Sequence, residues 1–153
     1  MTKRKESDSS FQREIEKAIL QDIKTHLGIT ELSTNVILHL KNNDKVTIIP
    51  DIYSEEECII GEIHTHPGKL KAAQRNKVAT DLLKMLLYET DFGKPFRKIL
   101  VVTGKEEFEQ LKGNSYLSEA IKQYKVEVIL CELSKSQKQQ LSEVVQKQNL
   151  NPL

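Results

Sequence analysis

The sequence predicts an α/β protein whose mixed β-sheet is flanked by helices on both faces. Three observations predict this class: a helical repeat near the N-terminus, three short apolar runs after it, and a long amphipathic helix that leads into a further strand. A strand meander followed by a crossover helix and another strand gives a sheet with both parallel and antiparallel pairs. The 153 residues are enough for one domain with an apolar core.

The first predicted element is a helix over residues 10–27. Ser10 can cap its N-terminus, and Gly28 marks its end. Apolar residues recur at helical spacing at Phe11, Ile15, Ala18, Ile19 and Ile23. Residues 1–9 are basic and then polar, so we expect them to form a disordered arm before the helix.

Three strands are predicted next, at residues 36–40, 46–49 and 58–64. A turn at residues 42–44 joins the first two strands. The second strand runs into Pro50-Asp51, and a polar turn at residues 53–57 leads to the third. We therefore expect the three strands to form a meander.

A long helix is predicted over residues 70–88, after the chain break at Pro67-Gly68. Its apolar stripe comprises Val78, Leu82, Met85 and Leu86, widened by Ala79 and Leu83. Its polar side comprises Gln74, Lys77, Asp81 and Lys84. The alternatives are that this side faces solvent or that its N-terminal turn overhangs the metal site. This helix is the predicted crossover between the meander and the next strand.

The rest of the chain is predicted to add a central strand, two short helices, a further strand and a C-terminal helix. These elements are predicted at residues 98–103, 105–112, 117–124 and 126–130 and from Ser134 onward. The run at 98–103 is apolar without alternation, as buried central strands are. Gln137 is the expected capping-box partner of Ser134.

Composition places the chain among soluble globular proteins, with 38% apolar and 29% charged residues. We expect a domain at residues 10–133 and a C-terminal helix and tail at residues 134–153. No apolar run approaches the roughly 18 residues that a membrane span needs, and the N-terminus lacks the apolar stretch of a secretory signal. Cys58 and Cys131 lie in apolar runs, so they are expected to be buried thiols in a reducing cytoplasm. The net charge of +1 neither favours nor excludes a nucleic-acid partner.

Two acidic residues, Asp51 and Glu62, are predicted to meet at the ends of the second and third strands. Side chains alternate across a strand, so Glu62 shares a face with Ile60. If the turn centres near residues 55–56, Asp51 lies opposite Ile60, and Glu62 is its diagonal neighbour. Diagonal pairs have α-carbons roughly 7–8 Å apart, which is close enough for their side chains to converge.

Two carboxylates beside apolar residues repel each other and lose solvation, and a hard cation such as Mg²⁺ relieves both costs. The third ligand is expected to be the backbone carbonyl of Ile63, which is adjacent to Glu62. Such a cation polarises a phosphodiester and activates water for attack. The alternative is that Asp51 is a turn residue after Pro50 and that Glu62 is a surface carboxylate.

This arrangement resembles the PD-(D/E)xK nuclease superfamily, whose fold is the restriction-endonuclease-like core. Pro50-Asp51 ends the second predicted strand, and Glu62-Ile63-His64 lies on the third. Gln74-x-x-Lys77 in the next helix resembles the accessory motif of many of these families. The resemblance covers residues 10–103, in the order helix, three strands, helix, strand. It implies a metal-dependent phosphodiesterase, an endonuclease that uses Mg²⁺ or Mn²⁺ and acts on nucleic acid, with DNA as the expected substrate.

The resemblance also implies further catalytic residues. The first helix of the superfamily often donates a glutamate, and Glu16, with Ile15 before it and Ile19 and Ile23 after it, fits the usual surroundings. The side chains of the accessory motif would contact the scissile phosphate or its attacking water. The expected catalytic residues are therefore Glu16, Asp51, Glu62, His64, Gln74 and Lys77, and the expected metal ligands are Asp51, Glu62 and Ile63.

The lysine of the family motif is replaced here by His64. A neutral imidazole lacks a fixed positive charge, but it can accept a proton from water at neutral pH or bind metal. Three lysines in the next segment, Lys69, Lys71 and Lys77, are alternative donors of the missing charge. The replacement is also compatible with a module of the same fold that binds nucleic acid without cutting it.

A cluster of basic residues, Lys69, Lys71, Arg75 and Lys77, surrounds the predicted start of the long helix. We expect this basic cluster to contact the phosphate backbone of nucleic acid. The alternative is an ordinary solvated helix face. A homodimer would be suited to cutting both strands of a duplex, so a second copy of the chain is a further possible partner.

A second resemblance is carried by His64-Thr65-His66-Pro67. It is similar to the His-x-His-Pro of JAMM metalloproteases, which cut isopeptide bonds with zinc. Two histidines, a carboxylate and an open position would suit catalytic Zn²⁺. That family also needs a Ser-x-x-Asp, and here Asp81 is present but Val78 occupies the serine position. A zinc isopeptidase is therefore the less favoured alternative.

Overall fold

The computed structural model of the protein describes residues 2–66, 68–134, 137, 139 and 143, with side chains from residue 10 onward. The helices are α1 (Thr2–Leu27), α2 (Ala72–Phe92), α3 (Lys105–Leu111) and α4 (Tyr116–Gln123). The strands are β1 (Leu38–His39), β2 (Thr47–Ile48), β3 (Ile52–Ser54), β4 (Ile59–His64), β5 (Arg97–Val102) and β6 (Glu127–Leu130).

The main sheet has four strands in the order β3-β4-β5-β6. The β3–β4 pair is antiparallel, and the β4–β5 and β5–β6 pairs are parallel. The predicted α/β class with a mixed sheet is therefore confirmed.

The predicted three-strand meander is wrong in its connections. The strands β1 and β2 form a separate antiparallel hairpin, in which Leu38 pairs with Ile48. The strand that pairs with β4 is instead β3, which overlaps the turn predicted at residues 53–57. Pro50 has no N–H to donate and therefore interrupts strand pairing after β2. The chain restarts as a strand at Ile52 because Ile52 and Tyr53 are buried.

The turn between β3 and β4 lies later than predicted. Cys58 donates its backbone N–H to the carbonyl of Glu55 over 3.2 Å, and Cys58 has a positive φ of 53°. The outer edge of β3 is covered by a two-way backbone bridge: Ser33 N–H donates to Tyr53 over 2.8 Å, and Tyr53 N–H donates to Ser33 over 3.0 Å.

Helices cover both faces of the main sheet. Ile15, Ile19 and Ile23 of α1 are buried in one apolar cluster with residues of β3, β4, β5 and β6. The helix α2 contributes its buried side chains to a second cluster on the opposite face. Gly61 of β4 has no room for a side chain, because an added β-carbon would come within 2.8 Å of the carbonyl oxygen of Ile99.

Two helix boundaries differ from the prediction. The helix α1 begins at Thr2, so residues 2–9 are helical and the predicted disordered arm is wrong for them. The helix α2 begins at Ala72 and continues to Phe92, where Gly93 ends it with a positive φ of 84°.

The predicted C-terminal capping box is present. Ser134 donates its backbone N–H to Gln137 Oε1 over 2.9 Å, and Gln137 donates its own to Ser134 Oγ over 3.1 Å. Most of the predicted C-terminal helix and tail lies outside the described residues. Within the described part of the chain, the helices are too short or too polar to cross a membrane.

Candidate active site

Asp51 immediately precedes β3, at the point where that strand meets the C-terminal half of β4. The pairs Ile52–Gly61 and Tyr53–Ile60 set the register. Continuing this register by one residue places Asp51 opposite Glu62. The predicted register, with Asp51 opposite Ile60, is therefore wrong, because the turn centres one residue later than assumed. The two acidic residues are direct rather than diagonal neighbours.

The carboxylate of Asp51 is fixed by the backbone of β4. Its Oδ2 accepts a hydrogen bond from the backbone N–H of Ile63 over 2.8 Å. The pairing of β3 with β4 begins at Ile52, and Asp51 supplies the acceptor just beyond it. The side chain therefore continues the strand pairing and holds its remaining oxygen beside Glu62.

Glu62 is a buried acid, with only 7% of its surface exposed. Burial, together with a side-chain hydrogen bond to Asp51 and the negative charges of Asp51 and Asp81, raises the pKa of Glu62 to about 9; a backbone hydrogen bond with Asp51 opposes this rise. The raised pKa favours the protonated form of Glu62, which can donate a hydrogen bond to Asp51.

Glu16 approaches this pair from α1. It lines a cavity of about 210 Å³ together with Asp51 and Ile63. Partial burial of the carboxyl group, followed by the charge of Asp51, raises the pKa of Glu16, and Arg13 lowers it. The structure thus brings Glu16 and Asp51 into electrostatic contact, although Glu16 as a whole remains solvent-exposed.

His64 is buried on β4 and lies beside Asp81 of α2. The distance from His64 Nε2 to Asp81 Oδ2 is 3.1 Å, and each residue is 7% exposed. The nitrogen lies within ion-pair distance, but its direction does not give a regular hydrogen bond. For Asp81, the alternative of a side chain that faces solvent is therefore wrong. The assignment of Leu83 to the apolar stripe is also wrong, because Leu83 is 67% exposed.

The residues of the accessory motif lie in the first turns of α2. Gln74 Oε1 accepts the backbone N–H of Lys71 over 3.0 Å, so Gln74 caps the helix. Arg75 Nη1 donates to the carbonyl of Leu70 over 3.1 Å. The basic cluster Lys69, Lys71, Arg75 and Lys77 is exposed. The cluster therefore faces solvent, and Gln74 is occupied by helix capping.

The described residues contain no group of three His, Cys, Asp or Glu side chains placed to hold one metal ion. Catalytic Zn²⁺ usually takes three protein ligands. Mg²⁺ is usually held by one or two carboxylates and keeps several waters. The pair Asp51 and Glu62, with the Ile63 carbonyl adjacent, therefore fits a Mg²⁺-like cation. Of the residues that the zinc alternative needs, His64 lies 3.1 Å from Asp81, and His66 Nδ1 is buried without a hydrogen-bond partner.

Two features of the site were not predicted: the burial of Asp81 and the α1 side chains that line the cavity. The spacing of Asp81 from Val78 and Met85 places it within the buried stripe, and this signal was available. The cavity-lining residues Arg13 and Lys17 of α1 carry no motif, so only the packing of the helix against the sheet reveals them.

Comparison with protein-family models, curated proteins and solved structures gives no match to this chain.

Proposed function

We propose that the protein is a Mg²⁺- or Mn²⁺-dependent nuclease of the PD-(D/E)xK type, which hydrolyses phosphodiester bonds of nucleic acid. The observation that carries this proposal is the buried Asp51–Glu62 pair, in which burial and a neighbouring carboxylate raise the pKa of Glu62 to about 9. A buried acid with a strongly raised pKa and a specific charged partner indicates a functional site.

A divalent cation fits this pair because it can replace the proton that Glu62 donates to Asp51. Both carboxylates would then be ionised, and their repulsion would be offset by the cation. Asp51 is already fixed by the N–H of Ile63, so little rearrangement of β3 or β4 is required. Asp51, Glu62 and the Ile63 carbonyl are the proposed ligands.

When bound, such a cation stabilises charge on a phosphodiester and activates water. The protein's own contribution is proton transfer and orientation. His64 is two residues after Glu62 on β4 and therefore points to the same face of the sheet. Asp81 holds the imidazole from α2, so we assign His64 as the base or water-orienting group.

The order of the elements supports the restriction-endonuclease-like core as the finer fold. Glu16 lies on the first helix, Pro50-Asp51 precedes an antiparallel strand, and Glu62 lies on the next strand. The crossover helix α2 and the parallel strand β5 then follow. In this proposal Glu16 approaches the site from the face opposite α2.

The proposed substrate is nucleic acid, with DNA as the expected form. The exposed Lys69, Lys71 and Lys77 at the start of α2 supply positive charge for the phosphate backbone. Lys77 keeps its assigned role at the scissile phosphate. For Gln74, the capping bond to Lys71 favours positioning of the helix over contact with the phosphate. A homodimer remains the arrangement proposed for cutting both strands of a duplex.

A second candidate is a module of the same fold that binds nucleic acid without cutting it. The observation that favours this candidate is the replacement of the motif lysine by His64, which supplies no fixed positive charge at neutral pH. Both candidates bind nucleic acid, and only the nuclease cleaves it, so a cleavage assay distinguishes them.

The proposal is tested by incubating the protein with labelled duplex and single-stranded DNA and RNA in Mg²⁺, Mn²⁺ or EDTA. We expect metal-dependent cleavage that Asp51→Asn abolishes. Asparagine retains an oxygen acceptor for the Ile63 N–H, so the fold should be kept. Glu56→Gln, which changes an exposed acid in the β3–β4 turn, is the matched control and should cut like the parent. Full metal-dependent cleavage by Asp51→Asn would show that the site is wrongly assigned.

A further inference from the structure

The side chain of Gln110, in α3, holds both backbone polar groups of Leu70. Leu70 donates its N–H to Gln110 Oε1 over 2.9 Å, and Gln110 Nε2 donates to the carbonyl of Leu70 over 3.0 Å. Leu70 lies between β4 and α2, outside any helix or strand. The amide of one side chain therefore makes the pair of bonds that a neighbouring strand would make, and we call this contact the Gln110 clamp.

Both ends of the Gln110 clamp are anchored. The side chain of Leu70 is only 2% exposed and belongs to one apolar cluster with Leu111 of α3 and Leu117 of α4. On the other end, the backbone carbonyl of Gln110 accepts the hydroxyl of the buried Ser118 over 3.1 Å. The clamp therefore joins two pieces of backbone that are each held by further contacts.

The clamp does more than satisfy the carbonyl of Leu70. That carbonyl also accepts Arg75 Nη1 over 3.1 Å, from the first turns of the adjoining α2. The bond from Arg75 stays within one stretch of the chain, whereas the bonds from Gln110 come from a different helix, 40 residues away in the sequence. Gln110 therefore fixes the segment before α2 relative to the rest of the fold.

Two exposed lysines flank the residue that is clamped. Lys69 and Lys71 are the immediate neighbours of Leu70, and neither forms an ion pair with a described residue. Because each lysine is bonded covalently to Leu70, fixing the backbone of Leu70 limits the space that the two ammonium groups can reach. The clamp thus restrains the backbone from which two available positive charges project.

We propose that Gln110 is a positioning residue for nucleic-acid binding, which holds Lys69 and Lys71 ready to meet the phosphate backbone. The inference rests on the proposed function, in which these two lysines bind phosphate. A segment that is ordered before it binds loses less conformational freedom on binding, so its affinity is higher. Gln110 acts through the two lysines and does not touch the nucleic acid.

The inference is tested with the full chain and a labelled DNA duplex, by fluorescence anisotropy in EDTA over a series of salt concentrations. Gln110→Met keeps a side chain of similar length but removes both bonds to Leu70. The change is made in the parent and in Lys69→Ala/Lys71→Ala. Gln123→Met is the matched control, because Gln123 is exposed and its amide donates only to Glu119 of the same helix, over 3.0 Å.

We expect Gln110→Met to lower the affinity for duplex roughly three- to tenfold at every salt concentration. The log–log salt slope should stay that of the parent, because every cation is still present. In Lys69→Ala/Lys71→Ala the same change should cost nothing further, since residues that act through one another are not additive. Gln123→Met should bind like its parent in both backgrounds.

Two further measurements separate positioning from a general loss of structure. Hydrogen exchange at the Leu70 amide should be faster in Gln110→Met, whereas the circular dichroism spectrum should be that of the parent. Gln110→Ala removes the same two bonds with a smaller side chain and should give the same loss of affinity. A purely structural role would lower the melting temperature and leave the affinity of the folded protein unchanged.

Parent-like affinity in Gln110→Met, with faster exchange at Leu70, would overturn the positioning role. An equal loss of affinity with and without Lys69 and Lys71 would also overturn it, because the effect would not pass through these lysines. A parent that binds duplex but never cuts it would refute the nuclease function, whereas a loss confined to the background with both lysines would still support the role of Gln110. A parent that binds no nucleic acid would refute both.

Discussion

At the scale of the residue, Glu62 couples the stability of the fold to pH. The ordinary pKa of 4.5 applies in the unfolded chain, whereas the pKa in the folded protein is about 9. Between these values the folded state binds more protons, so stability is fully present below about pH 4.5 and falls as pH rises towards 9. Burial is the largest cause that disfavours ionisation of Glu62, and the neighbouring Asp51 is the next largest.

Glu62→Gln should remove this pH dependence. Glutamine can still donate a hydrogen bond to Asp51 but has no proton to lose. In EDTA, we expect the variant to melt like the parent near pH 5 and roughly a few degrees higher at pH 8. Thermal unfolding followed by circular dichroism measures the difference, with the exposed Glu56→Gln as control. A difference in melting temperature that is the same at both pH values would rule out this titration.

The proposed role of His64 as a general base predicts different cleavage rates for different side chains at this position. His64→Ala should lower metal-dependent cleavage by roughly 10²–10⁴-fold, which is the usual size of a general-base effect. His64→Lys restores the residue type of the family motif and should retain or raise cleavage. Asp81→Asn should lower the rate by a smaller factor, because Asp81 only positions the imidazole. The readout is the single-turnover rate at saturating DNA.

Two results would contradict this role for His64. A His64→Ala variant as active as the parent would move the proton transfer to Lys77 or to bulk water. A parent that binds but does not cut, combined with a His64→Lys variant that cuts, would identify the natural protein as a binding module.

At the scale of the element, the start of α2 combines helix capping with exposed charge. Gln74 and Arg75 use polar atoms to hold the backbone of Lys71 and Leu70. Lys69 and Lys71 keep their ammonium groups free of ion pairs with the described residues. The element thus fixes its own first turn and presents two cations to solvent.

Lys69→Ala/Lys71→Ala should weaken duplex binding without changing the fold. We expect the log–log salt slope to flatten by up to about two units, since each cation neutralises one phosphate. Measurement is by anisotropy in EDTA, and Lys45→Ala/Lys122→Ala serves as the control of equal charge. An unchanged slope would assign the two lysines to an ordinary solvated face.

The elements that the sequence predicts well are those with an uninterrupted signal. The run at residues 98–103 is apolar throughout, and β5 is buried between two parallel neighbours. The strand β3 was missed because Pro50 precedes it and three glutamates follow it, so its short apolar centre is masked by turn residues. The β1–β2 hairpin is separate from the main sheet because Pro50, which has no N–H, ends the strand pairing after β2.

Within the site, the sequence predicts the convergence of Asp51 and Glu62 but not their exact register. The register depends on where the β3–β4 turn closes, and that is set by the buried Ile52 and Tyr53. The burial of Asp81 was not predicted because an aspartate is expected on the surface unless it has a partner. Its partner, His64, lies on a different element of the fold. Tertiary pairing of this kind cannot be read from one helix alone.

At the scale of the whole molecule, the carboxyl pair lies between two helices on opposite faces of one sheet. Glu16 reaches it from α1, and Asp81 reaches it from α2. At Gly61, β4 packs against β5 with no room for a β-carbon. The site is therefore built beside buried strands of the main sheet, while the basic cluster at the start of α2 remains open to solvent.

The Ser33–Tyr53 bridge also limits how molecules of this protein can aggregate. A bare edge strand offers its unpaired N–H and C=O groups as a template for strands from other chains. At Tyr53 both groups are already taken by Ser33, in the middle of the three-residue strand β3. Strand addition by a second copy is therefore blocked at this edge, and the candidate catalytic carboxylates beside it are protected from being covered by a neighbouring chain.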